Sequence, residues 1–191
     1  MKRLVLLLLL VALAAPAGEL LRVENSLDAM GTTYTVVAYG PDQNVLIAAT
    51  EQAFEEVRRI DRTLSNYRPD SELSQVNRLA AQRPVAVGPE VFQLLAGCVE
   101  YGRLSQGAFD VTVGPLMKLW GFYKGSGRLP HRAEIRGVLS RVGYKNILLD
   151  ARAQTVRFAR PGIELDPGGV GKGYAVDRMV AVLREHGLSS A

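Results

Sequence analysis

The sequence predicts an α+β fold, a mixed and antiparallel sheet packed with helices. Helical patterns and strand-like runs follow one another without regular alternation, which argues against a doubly wound parallel sheet. The longest helical pattern, Asn44 to Leu64, sets Leu46, Ala49, Ala53, Val57, Ile60 and Leu64 on one face. Lys145 to Asp150 and Gln154 to Ala159 read as a hairpin around Ala151-Arg152.

Met1-Lys2-Arg3, the apolar run Leu4 to Leu13 and Ala15-Pro16-Ala17 read as a secretory signal peptide over residues 1–17. The rival reading is an uncleaved anchor, although the apolar run is short for a bilayer. No lipid-bearing cysteine follows, and the expected location is the periplasm or cell envelope of a bacterium. Leu20 to Leu27 alternates loosely as a strand, and Asp28 to Thr32 breaks it. Thr33 to Tyr39 is a clearer strand, closed by Gly40-Pro41-Asp42. After the long helix, Ser65 to Ser74 is a polar loop in which Asp70 or Ser71 caps a short helix to Asn77. Pro84 to Val87 is a short strand. Pro89 opens a helix whose apolar side carries Val91, Leu94, Leu95, Cys98, Val99 and Leu104. Gly107 to Phe122 reads as a tight, half-buried loop and Gly125 to Leu129 as a flexible connection. Pro130 opens a helix through Val142 with Ile135, Val138 and Leu139 inward, and Ile163 to Asp166 leads into a glycine loop.

The 191 residues include 23 basic and 19 acidic side chains. Without Lys2 and Arg3 the balance is 21 against 19, so charge gives no reason to expect a nucleic-acid partner. The length after the leader suits one domain, 18–191, with a real core. Cys98 is the single cysteine, which rules out an internal disulfide, and its apolar helix face reads as a buried thiol.

In Leu165 to Asp177, Gly168, Gly169, Gly171 and Gly173 surround Lys172, with Asp166 before them and a helix after. Ala175, Val176, Met179, Val180 and Leu183 form that helix's apolar face, and Gly187 caps its end. Unpaired N–H groups, the positive end of the helix dipole and an ammonium suit a phosphate. A strand-to-helix turn with a solvated lysine is the other reading. A Walker loop is excluded, because Asp166 stands at its first glycine and Gly173 at its Ser or Thr. The dinucleotide spacing fails at Tyr174 and at Val176. Asp110, between Phe109 and Val111, is either a ligand contact or a turn acid capping backbone N–H groups. Met30 either packs a planar ring or joins the core, and Tyr67 either stacks on a ring or covers a loop. Asp166 either reaches a ribose, a nucleobase or a metal-bound water, or caps the helix. His131 and His186 read as surface groups without metal-ligand spacing.

Seven pieces in order resemble the ApbE family of flavin transferases. They are Met30-Gly31-Thr32, Ser65-Asn66-Tyr67, Asp70 to Ser74 with Asn77, and Gly107 to Leu116. Leu119-Trp120-Gly121-Phe122, Val142-Gly143-Tyr144 and Leu165 to Asp177 complete the set. The resemblance implies transfer of FMN from FAD to a threonine of a partner protein, such as a membrane redox subunit, with AMP released and Mg²⁺ required. It implies that Met30, Tyr67, Ala108, Phe109, Asp110, Asp166 and Lys172 contact FAD and that the Gly169 carbonyl binds Mg²⁺. Pro167 and Gly171 depart from the Leu and Ala usual in the family. The family also extends further, with a later Asp and Thr on the metal and a His often proposed as base. The chain is therefore expected to be the N-terminal part of such an enzyme and inactive alone. An FAD-binding module without catalysis and an FAD hydrolase giving FMN and AMP are the alternatives.

Overall fold

The computed structural model describes residues 20–125 and 127–191; the expected leader over 1–17 lies outside them. Strands β1 (Leu21–Ala29) and β2 (Thr32–Gly40) form an antiparallel hairpin with Ala29 opposite Thr32. Met30 and Gly31, at φ 52° and 70°, make its two-residue loop, which matches the twist of the flanking strands. The strands are longer than their alternation suggested, because the residues read as a break continue the ladder. Tyr34, Val36 and Ala38 alternate inward on β2, with Leu27, Asn25 and Val23 opposite them.

Helix α1 (Gln43–Leu64) starts where Asp42 accepts from the N–H groups of Asn44 and Val45. Its stripe Leu46, Ala49, Ala53, Val57, Ile60 and Leu64 is fully buried, as the periodicity predicted. The helix packs on the hairpin and on α6 (Gly171–Glu185). Ser71, not Asp70, caps α2 (Glu72–Leu79), its Oγ accepting from Ser74 N–H at 3.0 Å.

The second sheet runs in the order β3 (Val85–Ala86), β5 (Thr155–Phe158) and β4 (Ile147–Asp150), all antiparallel. Asp150 faces Thr155, so the expected hairpin is present. Helix α3 (Pro89–Leu104) buries Val91, Leu95 and Cys98, whose thiol burial pushes up to about 11. Leu104 instead lies 63% exposed in the last turn.

Further expectations change on α4, α5 and α6. The loop Gly107 to Phe122 contains a helix, α4 (Gly114–Leu119), because Pro115 sits in the first turn where no N–H is needed. The helix expected from Pro130 to Val142 is only α5 (Arg132–Leu139). At its start Glu134 Oε2 accepts from His131 N–H at 2.8 Å, the reciprocal half of a capping box. Leu139 is 49% exposed, since only Val138 reaches the core. On α6, Val176 is 46% exposed and Val182 takes its place inside. That helix ends as a Schellman motif at Gly187, φ 75°, with Leu188 N–H donating to the Leu183 carbonyl at 3.1 Å.

Candidate nucleotide site

The segment entering the glycine loop is clamped from two sides. A parallel bridge joins Val113 to Glu164, and Asp166 N–H donates to the Val111 carbonyl at 2.7 Å. Asn77 takes both backbone groups of Leu165, its Oδ1 accepting from N–H at 2.7 Å and its Nδ2 donating to the carbonyl at 3.0 Å. Asn66 donates to the same carbonyl at 3.0 Å. Leu165 is wholly buried, so these side chains supply the partners that a buried backbone requires.

Asp166 then caps a 3-10 turn, Pro167–Gly169, its Oδ1 accepting from Gly168 N–H at 2.7 Å. Pro167 occupies the first turn, where its missing donor costs nothing. Helix α6 follows at Gly171 with no side-chain cap, and its first bond runs from Tyr174 N–H to the Val170 carbonyl. The N–H groups of Gly171, Lys172 and Gly173 precede that bond and have no partner inside the helix. Lys172 and Gly173 are exposed beside them. The glycines read as a loop are thus partly the first turn of α6.

The hairpin loop closes over this turn. Met30 Cε lies 3.3 Å from where a Gly171 Cβ would stand, and its Sδ accepts from Tyr34 O–H at 3.3 Å. Gly171 is therefore a close approach under a methionine rather than a point of slack. The Phe109 ring comes within 3.4 Å of a Cβ position on Gly169 and meets Tyr101 edge-on at 6.2 Å. Tyr67 is 72% exposed, its ring 5.5 Å from that of Tyr123. Tyr123 donates to Asp166 Oδ2 at 2.7 Å; burial, then this bond, raises its pKa. So Met30, Phe109, Asp166, Gly169 and Lys172 gather at the loop, with Tyr67 joined through Tyr123.

Ala108 is exposed at the preceding turn. Asp110 faces its own chain: Oδ1 accepts from Thr112 N–H at 2.8 Å and Thr112 O–H at 2.6 Å, and Oδ2 from Tyr144 N–H at 2.7 Å. The turn-acid alternative describes that geometry. Tyr123 went unmarked in the sequence, although it follows a recognised motif directly; Asn66 and Asn77 stood in motifs without a role.

Behind the loop, Tyr174 O–H donates to Glu90 Oε1 at 2.7 Å, and Arg59 donates to the same oxygen at 2.8 Å. Arg59 holds the Glu90 pKa down at about 2. Burial, then the Glu90 bond, pushes Tyr174 up to about 12. This network ties the first turn of α6 to α1 and α3.

Two cavities flank the site. One of about 550 Å³ runs between β2 and α6 and reaches Lys172 and Gly173. The other, about 460 Å³, is walled by Tyr67, Tyr123, Asn66, Asn77 and Lys118. Among the described residues no group of three or more His, Cys, Asp or Glu could hold a metal ion. Unpaired amides, an ammonium and flanking rings do fit a nucleotide diphosphate.

Comparison with known proteins identifies the family and the fold. The ApbE family model matches residues 30–191. The chain is 32% identical to an FAD:protein FMN transferase of Klebsiella pneumoniae over 85% of its own length and 50% of that protein. It is 35% identical to one of Chlamydia trachomatis, over 68% of this chain and 42% of the relative. The crystal structure of the ApbE protein of Thermotoga maritima superposes with a TM-score of 0.81 at 32% identity, covering 87% of this chain and 53% of the other. The flavin transferase ApbE of Vibrio cholerae gives 0.78 at 26% identity, covering 89% and 55%. The chain thus spans about half the length of the relatives it matches. From its glycine loop to its antiparallel sheets, it belongs to the ApbE family.

Proposed function

We propose that this chain carries the FAD-holding part of an enzyme that transfers FMN from FAD to a threonine hydroxyl of a partner protein. The threonine oxygen gives up its proton to the medium and bonds to the FMN phosphorus, the bond to the bridging oxygen breaks, and AMP leaves. Such a reaction depends on placing and neutralising a diphosphate more than on covalent help. The single observation that carries the reading is the uncapped first turn of α6 with exposed Lys172, facing no ion pair among the described residues. Relatives named FAD:protein FMN transferases support it.

In this reading Lys172 and the amides of Gly171 to Gly173 hold the diphosphate. Asp166 accepts from a hydroxyl or amine of the nucleotide, and Met30, Phe109 and Tyr67 flank its rings. Ala108 lines the same turn, with Asp110 holding that turn rigid. Bound Mg²⁺ would supply charge neutralisation on the phosphoryl oxygens, with the Gly169 carbonyl among its ligands. An envelope location, reached by export, suits an acceptor such as a membrane redox subunit.

The test is incubation of the chain, and of a version extended to the relatives' length, with FAD, Mg²⁺ and a threonine-bearing acceptor. The extended version is expected to label the acceptor and release AMP. Free FMN with an unlabelled acceptor would favour hydrolysis, and FAD binding without AMP would favour a binding module. Absence of FAD binding would contradict the proposal.

A further inference from the structure

Tyr123 stands at a junction between the Asp166 loop, Asn66 and the Tyr67 ring. Its hydroxyl donates to Asp166 Oδ2 at 2.7 Å and accepts from Asn66 Nδ2 at 2.9 Å. Asn66 Oδ1 in turn accepts from Asn77 Nδ2 at 3.1 Å, which orients the Asn66 amide with its nitrogen toward Tyr123. A tyrosine has one proton to give. With Asn66 already donating to the oxygen, that proton is committed to Asp166. The remaining acceptor positions of Asp166 are then confined, since Oδ1 is drawn to Gly168 N–H. The same side chain leans its ring on Tyr67 at 5.5 Å. Tyr67 is otherwise an exposed aromatic on a loop, its backbone N–H donating to Ser65 Oγ at 3.3 Å.

We infer that Tyr123 is a positioning residue of the nucleotide site: one side chain sets both the Asp166 carboxylate and the Tyr67 ring against the glycine loop. The inference rests on the FAD reading above. Asp166 lies at the loop itself, while Tyr123 arrives from the short 3-10 turn Phe122–Lys124 after α4. Distance in sequence between the partners makes the contact a tertiary lock rather than a local turn bond. A half-buried hydroxyl placed between an amide donor and a carboxylate also has little freedom to rotate.

The test is a double-mutant cycle on FAD affinity, read by quenching of flavin fluorescence. Tyr123→Phe keeps the ring and deletes the O–H. It is expected to weaken FAD about threefold to tenfold, the range of one ordinary net hydrogen bond. Asp166→Ala is expected to weaken FAD about tenfold, and adding Tyr123→Phe to it should cause no further loss. A role limited to stability would lower the thermal midpoint without this coupling in affinity. Wild-type affinity in Tyr123→Phe, or equal losses in both backgrounds, would overturn the inference while leaving the FAD reading intact. If the wild-type chain binds no FAD, the reading and the inference fall together.

Discussion

The Asp110 turn and the Asp166 loop use the same kind of residue to opposite ends. Asp110 accepts three hydrogen bonds from its own chain, two from Thr112 and one from Tyr144, and little of its capacity is left. Asp166 accepts two, from Gly168 N–H and Tyr123 O–H, and stands beside a helix start that leaves its amides uncapped. One acid spends three acceptor positions on its own chain; the other spends two and keeps the rest free of side-chain or backbone donors among the described residues. The setting of a carboxylate in apolar sequence therefore says little about ligand binding until its lone pairs are counted.

The largest effect that would sharpen this contrast is on Asp110. Asp110→Ala strands the N–H groups of Thr112 and Tyr144, and should cost about 2 to 4 kcal/mol in urea unfolding. Should it leave stability unchanged while abolishing FAD binding, the two acids would have to exchange roles. Next comes the loop. Lys172→Ala removes an exposed cation with no partner among the described residues. It should leave stability within about 0.5 kcal/mol and weaken FAD about tenfold in a fluorescence titration.

A smaller effect concerns the support behind the loop. The folded Glu90 pKa lies near 2 against an ordinary 4.5, so its contribution is fully present above about 4.5 and is lost as pH falls toward 2. After allowance for solvent around a part-exposed pair, the increment is about 1 kcal/mol. Urea midpoints measured from neutral pH downward should show it in the wild type and not in Glu90→Gln. A wild type and variant with parallel acid profiles would remove the network from the account. Smallest is Gly171→Ala. Its Cβ would meet the flexible end of Met30 at 3.3 Å and Pro167 Cβ at an ordinary 3.7 Å, inside a helical turn that favours alanine. A change within about 0.5 kcal/mol, of either sign, is expected in thermal unfolding.

The same contrast explains how far the sequence could be read. Helix α1, the β4–β5 hairpin and the Gly187 cap follow from local patterns, and each appears where periodicity or a turn residue placed it. Errors arise where a tertiary partner decides. Val176 has the right spacing for burial, yet it faces the groove between β2 and α6. Helix α4 was hidden because Pro115 serves equally as loop punctuation and as a first-turn residue. At the site, the glycines, Lys172, Asp166 and Met30 were legible as a motif. The Tyr123 bond to Asp166 spans 43 positions and leaves no periodic trace.

The most direct measurement compares FAD with riboflavin as ligands of the wild-type chain and of Lys172→Ala. If the first turn of α6 grips a diphosphate, wild type should prefer FAD at least about tenfold, and Lys172→Ala should lose most of that preference. Equal affinity for the two flavins in the wild type, or an unchanged preference in the variant, would contradict the account.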